Sequence, residues 1–144
     1  MITLAQYFGD RRTTHATECS PHIEDNAGRT VEIVNELLVR AESFGIKVPL
    51  NESGDFAGTQ LNSGWRPPSI NGCTAGASPT SMHMTGEAAD LHDPDGELDA
   101  WLMTPQGQFE LTELGLWMEH PSHTLGWSHV QIRPPRSGNR VFYP

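Results

Sequence analysis

Two histidines and one aspartate, His83, Asp90 and His129, constrain this chain more than any other feature, because using them together requires segments far apart in sequence to meet. His83 and Asp90 stand seven positions apart, too far for adjacent turns of one helix, where paired metal-binding histidines sit at i and i+4. Gly86 instead suggests a turn between them, and Glu87 to His92 reads as a short strand that presents Asp90 on one face. That strand is otherwise small and apolar, so a lone charge in it is costly to bury without a cation. Imidazole nitrogen and a harder carboxylate oxygen together suit one Zn2+ ion, and three protein ligands leave a fourth tetrahedral position open, as a catalytic site requires. Taken singly, His83 and His129 read as ordinary surface or core histidines. It is the set of three that reads as metal ligands.

At 144 residues and 15.9 kDa the chain fits one domain, residues 1–144, with room for a single core. Its 18 acidic against 9 basic side chains give a formal charge of −9, which argues against a sequence-independent grip on a phosphate backbone and hence against a nucleic-acid partner. Cys19 and Cys73 define neither a disulfide framework nor a cysteine-rich metal site and are expected to be thiols. Met1 to Arg12 lacks the pattern of a secretory signal, and no apolar run reaches membrane-spanning length. The expectation is cytoplasmic synthesis without a signal peptide, no membrane insertion and a monomer.

Apolar positions at three- and four-residue steps, Val31, Val34, Leu37, Leu38, Ala41 and Phe44, predict a scaffold helix from Arg29 to Phe44 capped by Gly45. Residues 1–27 read as mixed, with a surface stretch through His22, Glu24 and Asp25. Thr59 to Ser63 alternates as a short strand, ended by Pro67-Pro68. Ser69 to Thr80 reads as an exposed loop. After the Asp93-Pro94-Asp95-Gly96 turn, helical spacing recurs at Glu97 to Met103 and again at Phe109 to Leu114. Leu116 to Glu119 and Trp127 to Ile132 read as strands which, paired as a hairpin, would set Glu119 across from His129. The class is α+β: a small, mainly antiparallel sheet with packed helices.

Glu119 is the candidate general base, since water activated at a metal needs a carboxylate to take its proton; the plainer reading is a surface glutamate at a hairpin mouth. His120 and His123 flank it and read as oxyanion stabilisers, as a stray metal site or as solvated loop residues, and His92 shares the Asp90 face. Arg66 can hold a carboxylate bidentately or form an ordinary surface ion pair. Ser81 either hydrogen-bonds a substrate or caps the turn before His83. Trp65, Trp117 and Trp127 read as core or as groove lining.

The run Ser63-Gly64-Trp65-Arg66-Pro67-Pro68, then Ser81-x-His83-x-x-Gly86-x-Ala88-x-Asp90, then Trp127-x-His129 resembles the M15 family of zinc D-Ala-D-Ala carboxypeptidases and phage cell-wall endopeptidases, whose fold is shared with the Hedgehog signalling domain. The resemblance covers residues 63 to 131. It implies His83, Asp90 and His129 as zinc ligands, a glutamate as base, Arg66 and Ser81 near the substrate, and peptidoglycan stem peptides as that substrate. Many members carry the catalytic acid three positions before the last histidine, where this chain has Gly126. Glu119 is similar to the acidic residue that precedes the hairpin in a phage-associated branch, and Trp-x-His-Val-Gln also resembles that branch. Such an enzyme would act at the cell wall after release by another factor. The rival expectations are a metal-binding cell-wall recognition module without hydrolysis and a structural component of a phage particle.

Overall fold

Strand alternation and one long amphipathic helix organise the molecule. A computed structural model describes residues 1–144. Helices α1 (Leu4–Phe8), α2 (Arg11–Thr14) and α3 (Pro21–Ser43) precede strand β1 (Leu61–Ser63) and the short helix α4 (Pro68–Asn71). Then come β2 (Ala88–Asp93), α5 (Glu97–Leu102), α6 (Pro105–Leu114), β3 (Trp117–Glu119), β4 (Gly126–Gln131) and β5 (Val141–Phe142). The five strands form one sheet in the order β1-β2-β4-β3-β5. All neighbours are antiparallel except β3 and β5. The class is thus α+β, and no helix is long and apolar enough to cross a membrane.

The two faces of the sheet differ in chemistry because successive side chains point to opposite sides. Ala89, Leu91, Met118 and Val130 are almost fully buried and join Tyr7, Phe8, Val34, Leu37 and Trp65 in the core. Each such large apolar side chain contributes on the order of 1.5–3 kcal/mol of burial. Asp90, His129 and Glu119 lie on the opposite face. Trp65 belongs to the core, while Trp117 and Trp127 are half-buried.

Helix α3 starts eight residues earlier than its apolar spacing predicts, at Pro21 rather than Arg29. His22, Glu24 and Asp25, expected in an irregular surface stretch, form its first turns. Ser20 caps it by accepting from the Ile23 amide at 3.3 Å, and Pro21 suits the first helical position, where the missing N–H goes unused. The added turns carry Asn26 and Thr30, polar yet buried, which hydropathy overlooks. At the other end Gly45 has φ +83° and Ile46 donates back to Ala41 at 3.0 Å, the expected glycine stop. The helix predicted at Phe109 to Leu114 starts earlier as well, at Pro105, with Thr104 as its cap. Within the expected loop 69–80, residues up to Asn71 complete α4, and Asn71 is buried.

Behind β4, Asp99 of α5 is buried, its Oδ2 accepting from the Thr124 hydroxyl at 2.8 Å. Its Oδ1 and the nearby buried Ser128 Oγ have no partner. Burial, with the Asp93 charge adding to it, raises the Asp99 carboxyl above the usual range. A carboxyl that holds its proton more tightly when folded favours folding at low pH, and that contribution is lost as pH rises through the folded value. Asp99→Asn is therefore expected to stabilise the fold at neutral pH by roughly 1 kcal/mol, a rise of about 2–5 °C in Tm. The gain should shrink at acidic pH, where more of the carboxyl carries its proton. Thermal unfolding at neutral and acidic pH checks this, and a lowered midpoint at neutral pH contradicts it.

Candidate metal centre

Strand register brings the candidate residues together. Ser63 pairs with Asp90, Asp90 with His129, and Glu119 with Phe142. Because Met118 pairs with Val130, the next step of that ladder sets Glu119 across from His129, with Cα atoms roughly 5 Å apart. One row, Ser63–Asp90–His129–Glu119–Phe142, thus crosses the sheet on a single face. The hairpin expected of β3 and β4 has this consequence.

His83 comes from outside the sheet, on the turn that leads into β2. Gly86 makes that turn possible, with φ +75°; a Cβ there would lie 2.9 Å from the Ile23 carbonyl oxygen and 3.2 Å from the Ala27 amide nitrogen. The turn is moored to α3 by Thr30 Oγ1, which donates to the Gly86 carbonyl at 2.7 Å, and by Asn26 Nδ2, which donates to the Thr85 carbonyl at 3.0 Å. Asn26 also reaches Glu87, whose other oxygen accepts from Arg133 at 2.6 Å. Gly86→Ala meets both an unfavourable φ and backbone atoms that cannot retreat, so it is expected to cost more than about 1 kcal/mol. It should also weaken metal binding through the His83 turn. Denaturant titration together with zinc titration reads both effects; parental values in the two contradict this account of the turn.

Three ligand atoms converge. His83 Nε2 lies 3.2 Å and His129 Nδ1 2.8 Å from the same oxygen, Asp90 Oδ1, and all three residues are buried. The far side of each ring fixes its tautomer. His83 Nδ1 is 2.8 Å from the Gly64 carbonyl, which can only accept. His129 Nε2 is 3.1 Å from Gln131 Oε1, and that amide is oriented because its nitrogen, Nε2, donates to the Arg133 carbonyl at 2.6 Å. Both outer N–H groups are thus spent on acceptors, and two neutral rings would aim bare lone pairs at a carboxylate oxygen. A shared cation, or protons in its place, resolves that conflict. Carbonyl or amide oxygens behind each imidazole are also what holds ligating histidines in place at metal sites. The group can hold a metal ion.

The electrostatics agree. Burial would raise the Asp90 carboxyl, but the His83 charge and the hydrogen bonds from the two rings outweigh it and hold it well below the usual range. Burial would lower His129, yet its bond to Asp90 keeps it above its ordinary value. Burial raises Glu119, against the opposing pull of His129, which suits a proton acceptor working nearer neutrality.

No family model, curated protein or solved structure matches this chain. The assignment of the face rests on its own geometry.

Arg66 lies against the cluster, with Nη2 3.8 Å from Asp90 Oδ2, Nη1 3.2 Å from Asn71 Oδ1 and Nη2 3.4 Å from Ser63 Oγ. Its amide donates to the His83 carbonyl at 3.0 Å, so it braces both the Asp90 carboxylate and the His83 turn. Ser81 Oγ accepts from the His83 amide at 3.3 Å, capping that turn. His92 shares the Asp90 face, but its Nδ1 meets Asn62 Oδ1 at 2.9 Å. His120 stacks on Tyr143 with centroids 4.7 Å apart, and His123 meets the same ring edge-on at 5.8 Å. None of these three histidines joins the cluster. Sequence reasoning gave no role to Gly64, Asn26 and Thr30, which position His83 and its turn. Nor did it give one to Gln131, which orients His129. For Gln131 a signal existed: two residues beyond His129 in a strand, it must share that face.

Proposed function

We propose that this chain is a zinc-dependent peptidase that hydrolyses peptide bonds in peptidoglycan stem peptides, on a fold of the Hedgehog/DD-peptidase type. The observation that carries the reading is the buried convergence of His83 Nε2, His129 Nδ1 and Asp90 Oδ1, with each outer ring nitrogen already engaged. Two nitrogens and one oxygen are the donor set of a catalytic rather than a structural zinc site. When bound, the ion supplies Lewis acidity to a scissile carbonyl and to water.

The protein's own groups do the rest. Glu119, across from His129 and outside the ligand set, takes a proton from the attacking water and returns it to the leaving amine. Asp90 stays ionised, held by the imidazoles and by Arg66. Gln131 and Gly64 keep both rings in the ligating tautomer. The peptidoglycan substrate comes from the resemblance carried by residues 63 to 131.

One observation favours a second reading, a metal-binding recognition module without hydrolysis: position 126, where many members of the family it resembles carry an acid, is a glycine. It pairs with Asp93 at the start of β4, an odd number of residues from His129 and so off the ligand row. Incubation with purified muropeptides in the presence of zinc, followed by mass spectrometry, decides between the readings. Loss of terminal D-Ala identifies a carboxypeptidase, internal cleavage an endopeptidase, and intact muropeptides the non-hydrolytic module.

A further inference from the structure

We infer that Arg140, laid on Trp117, forms a subsite for a carboxylate of the peptide substrate. The inference rests on the peptidase reading of the same face. Trp117 precedes Glu119 by two residues in β3, so the two share a face roughly 6.6 Å apart along the strand. Trp117 pairs across β4 with Gln131, the residue that orients His129. On its other side, the parallel register that matches Met118 to Val141 sets Arg140 beside Trp117. The Arg140 guanidinium lies 4.4 Å from the indole centroid, and its Nη1 donates to the Leu116 carbonyl at 2.6 Å. A second row, Gln131–Trp117–Arg140, therefore runs beside the metal row.

Arg140 is half-buried and has no acidic partner within 4 Å, whereas Arg133 is paired with Glu87 and Arg66 with Asp90. A guanidinium uses one donor on Leu116 and its face on an indole, which leaves hydrogens for a planar anion. The surrounding charge supports this. All 18 acidic residues of the chain lie at or before Glu119, while Arg133, Arg136 and Arg140 follow it. Arg133 is neutralised by Glu87, so Arg140 is the cation beside Trp117 left free to attract a carboxylate. Stem peptides end in a carboxylate and carry another on their D-Glu residue, so the ligand chemistry fits.

The test uses the full chain, zinc-loaded and carrying Glu119→Gln so that binding is read without turnover. Calorimetry compares the peptide L-Ala-γ-D-Glu-L-Lys-D-Ala-D-Ala with its counterpart in which the free carboxylates are carboxamides. The acidic peptide should bind roughly 10- to 100-fold more tightly. Adding Arg140→Gln should abolish that preference, Arg140→Lys should keep part of it, and Arg136→Gln should leave it intact, with circular dichroism reporting on folding. The inference is overturned if the parent binds both peptides alike or neither, or if Arg140→Gln, or both Arg140 variants where one misfolds, keeps the parental preference. Muropeptide hydrolysis by the unsubstituted chain is scored separately. Hydrolysis without carboxylate preference removes only the Arg140 subsite; carboxylate preference without hydrolysis removes only the peptidase reading.

Discussion

Replacing Glu119 with glutamine is expected to leave zinc bound and to lower peptide turnover by roughly 10²- to 10⁴-fold, the usual scale for a general acid–base group. In the row Ser63–Asp90–His129–Glu119–Phe142, Glu119 is the one carboxylate outside the ligand cluster. The amide keeps the shape and much of the packing but cannot accept a proton at working pH. Because Glu119 is not among the converging ligands, zinc stoichiometry should match that of the parent. Its burial also implies that the raised carboxyl costs the fold a little when ionised, so Glu119→Gln should not lower the unfolding midpoint. Turnover within about twofold of the parent would remove Glu119 from the mechanism.

Replacing Asp90 with asparagine should have the opposite signature: metal affinity falls at least about 100-fold while the metal-free fold survives. The carboxylate oxygen lies within 3.2 Å of His83 Nε2 and 2.8 Å of His129 Nδ1, so it is the point through which both rings are held. An amide removes the negative charge and offers an N–H that can donate to one of the facing lone pairs. The conflict that a cation otherwise resolves would then be settled within the protein. The cost is the Arg66 guanidinium, which loses the acid 3.8 Å away but keeps Asn71 and Ser63. Zinc titration and thermal unfolding of the metal-free form read the two halves. Unchanged zinc affinity would show that the three residues are not the ligands; collapse of the metal-free fold would show that Asp90 serves structure first.

Much of this site is legible in the residues because its parts announce themselves locally. Gly86 between His83 and Asp90, alternation through β2, and the Glu119–His129 hairpin each follow from short-range chemistry, and their register makes the row. The support beneath is harder to read. Asn26 and Thr30 look like surface on a hydropathy pattern, yet they are buried because their partners are the backbone carbonyls of a turn some 60 residues away, at Thr85 and Gly86. No periodicity reports a bond of that kind, and apolar spacing alone sets the helix start at Arg29, past the Ser20-Pro21 cap where it begins. Gly64 is similar: its carbonyl orients His83, and a Cβ there would overlap the Tyr7 carbonyl oxygen, a closeness set by the packing of α1. Strand β5 is two residues long and carries too little pattern to be seen, yet it sets Arg140 beside Trp117.

Zinc K-edge X-ray absorption on the chain loaded with one equivalent of metal tests the central claim most directly. The expected spectrum shows only nitrogen and oxygen neighbours at about 2.0–2.2 Å, with scattering from the imidazoles of His83 and His129 that diminishes when either is replaced by alanine. A sulfur shell near about 2.3 Å, drawn from Cys19 or Cys73, or a spectrum without imidazole scattering would contradict it.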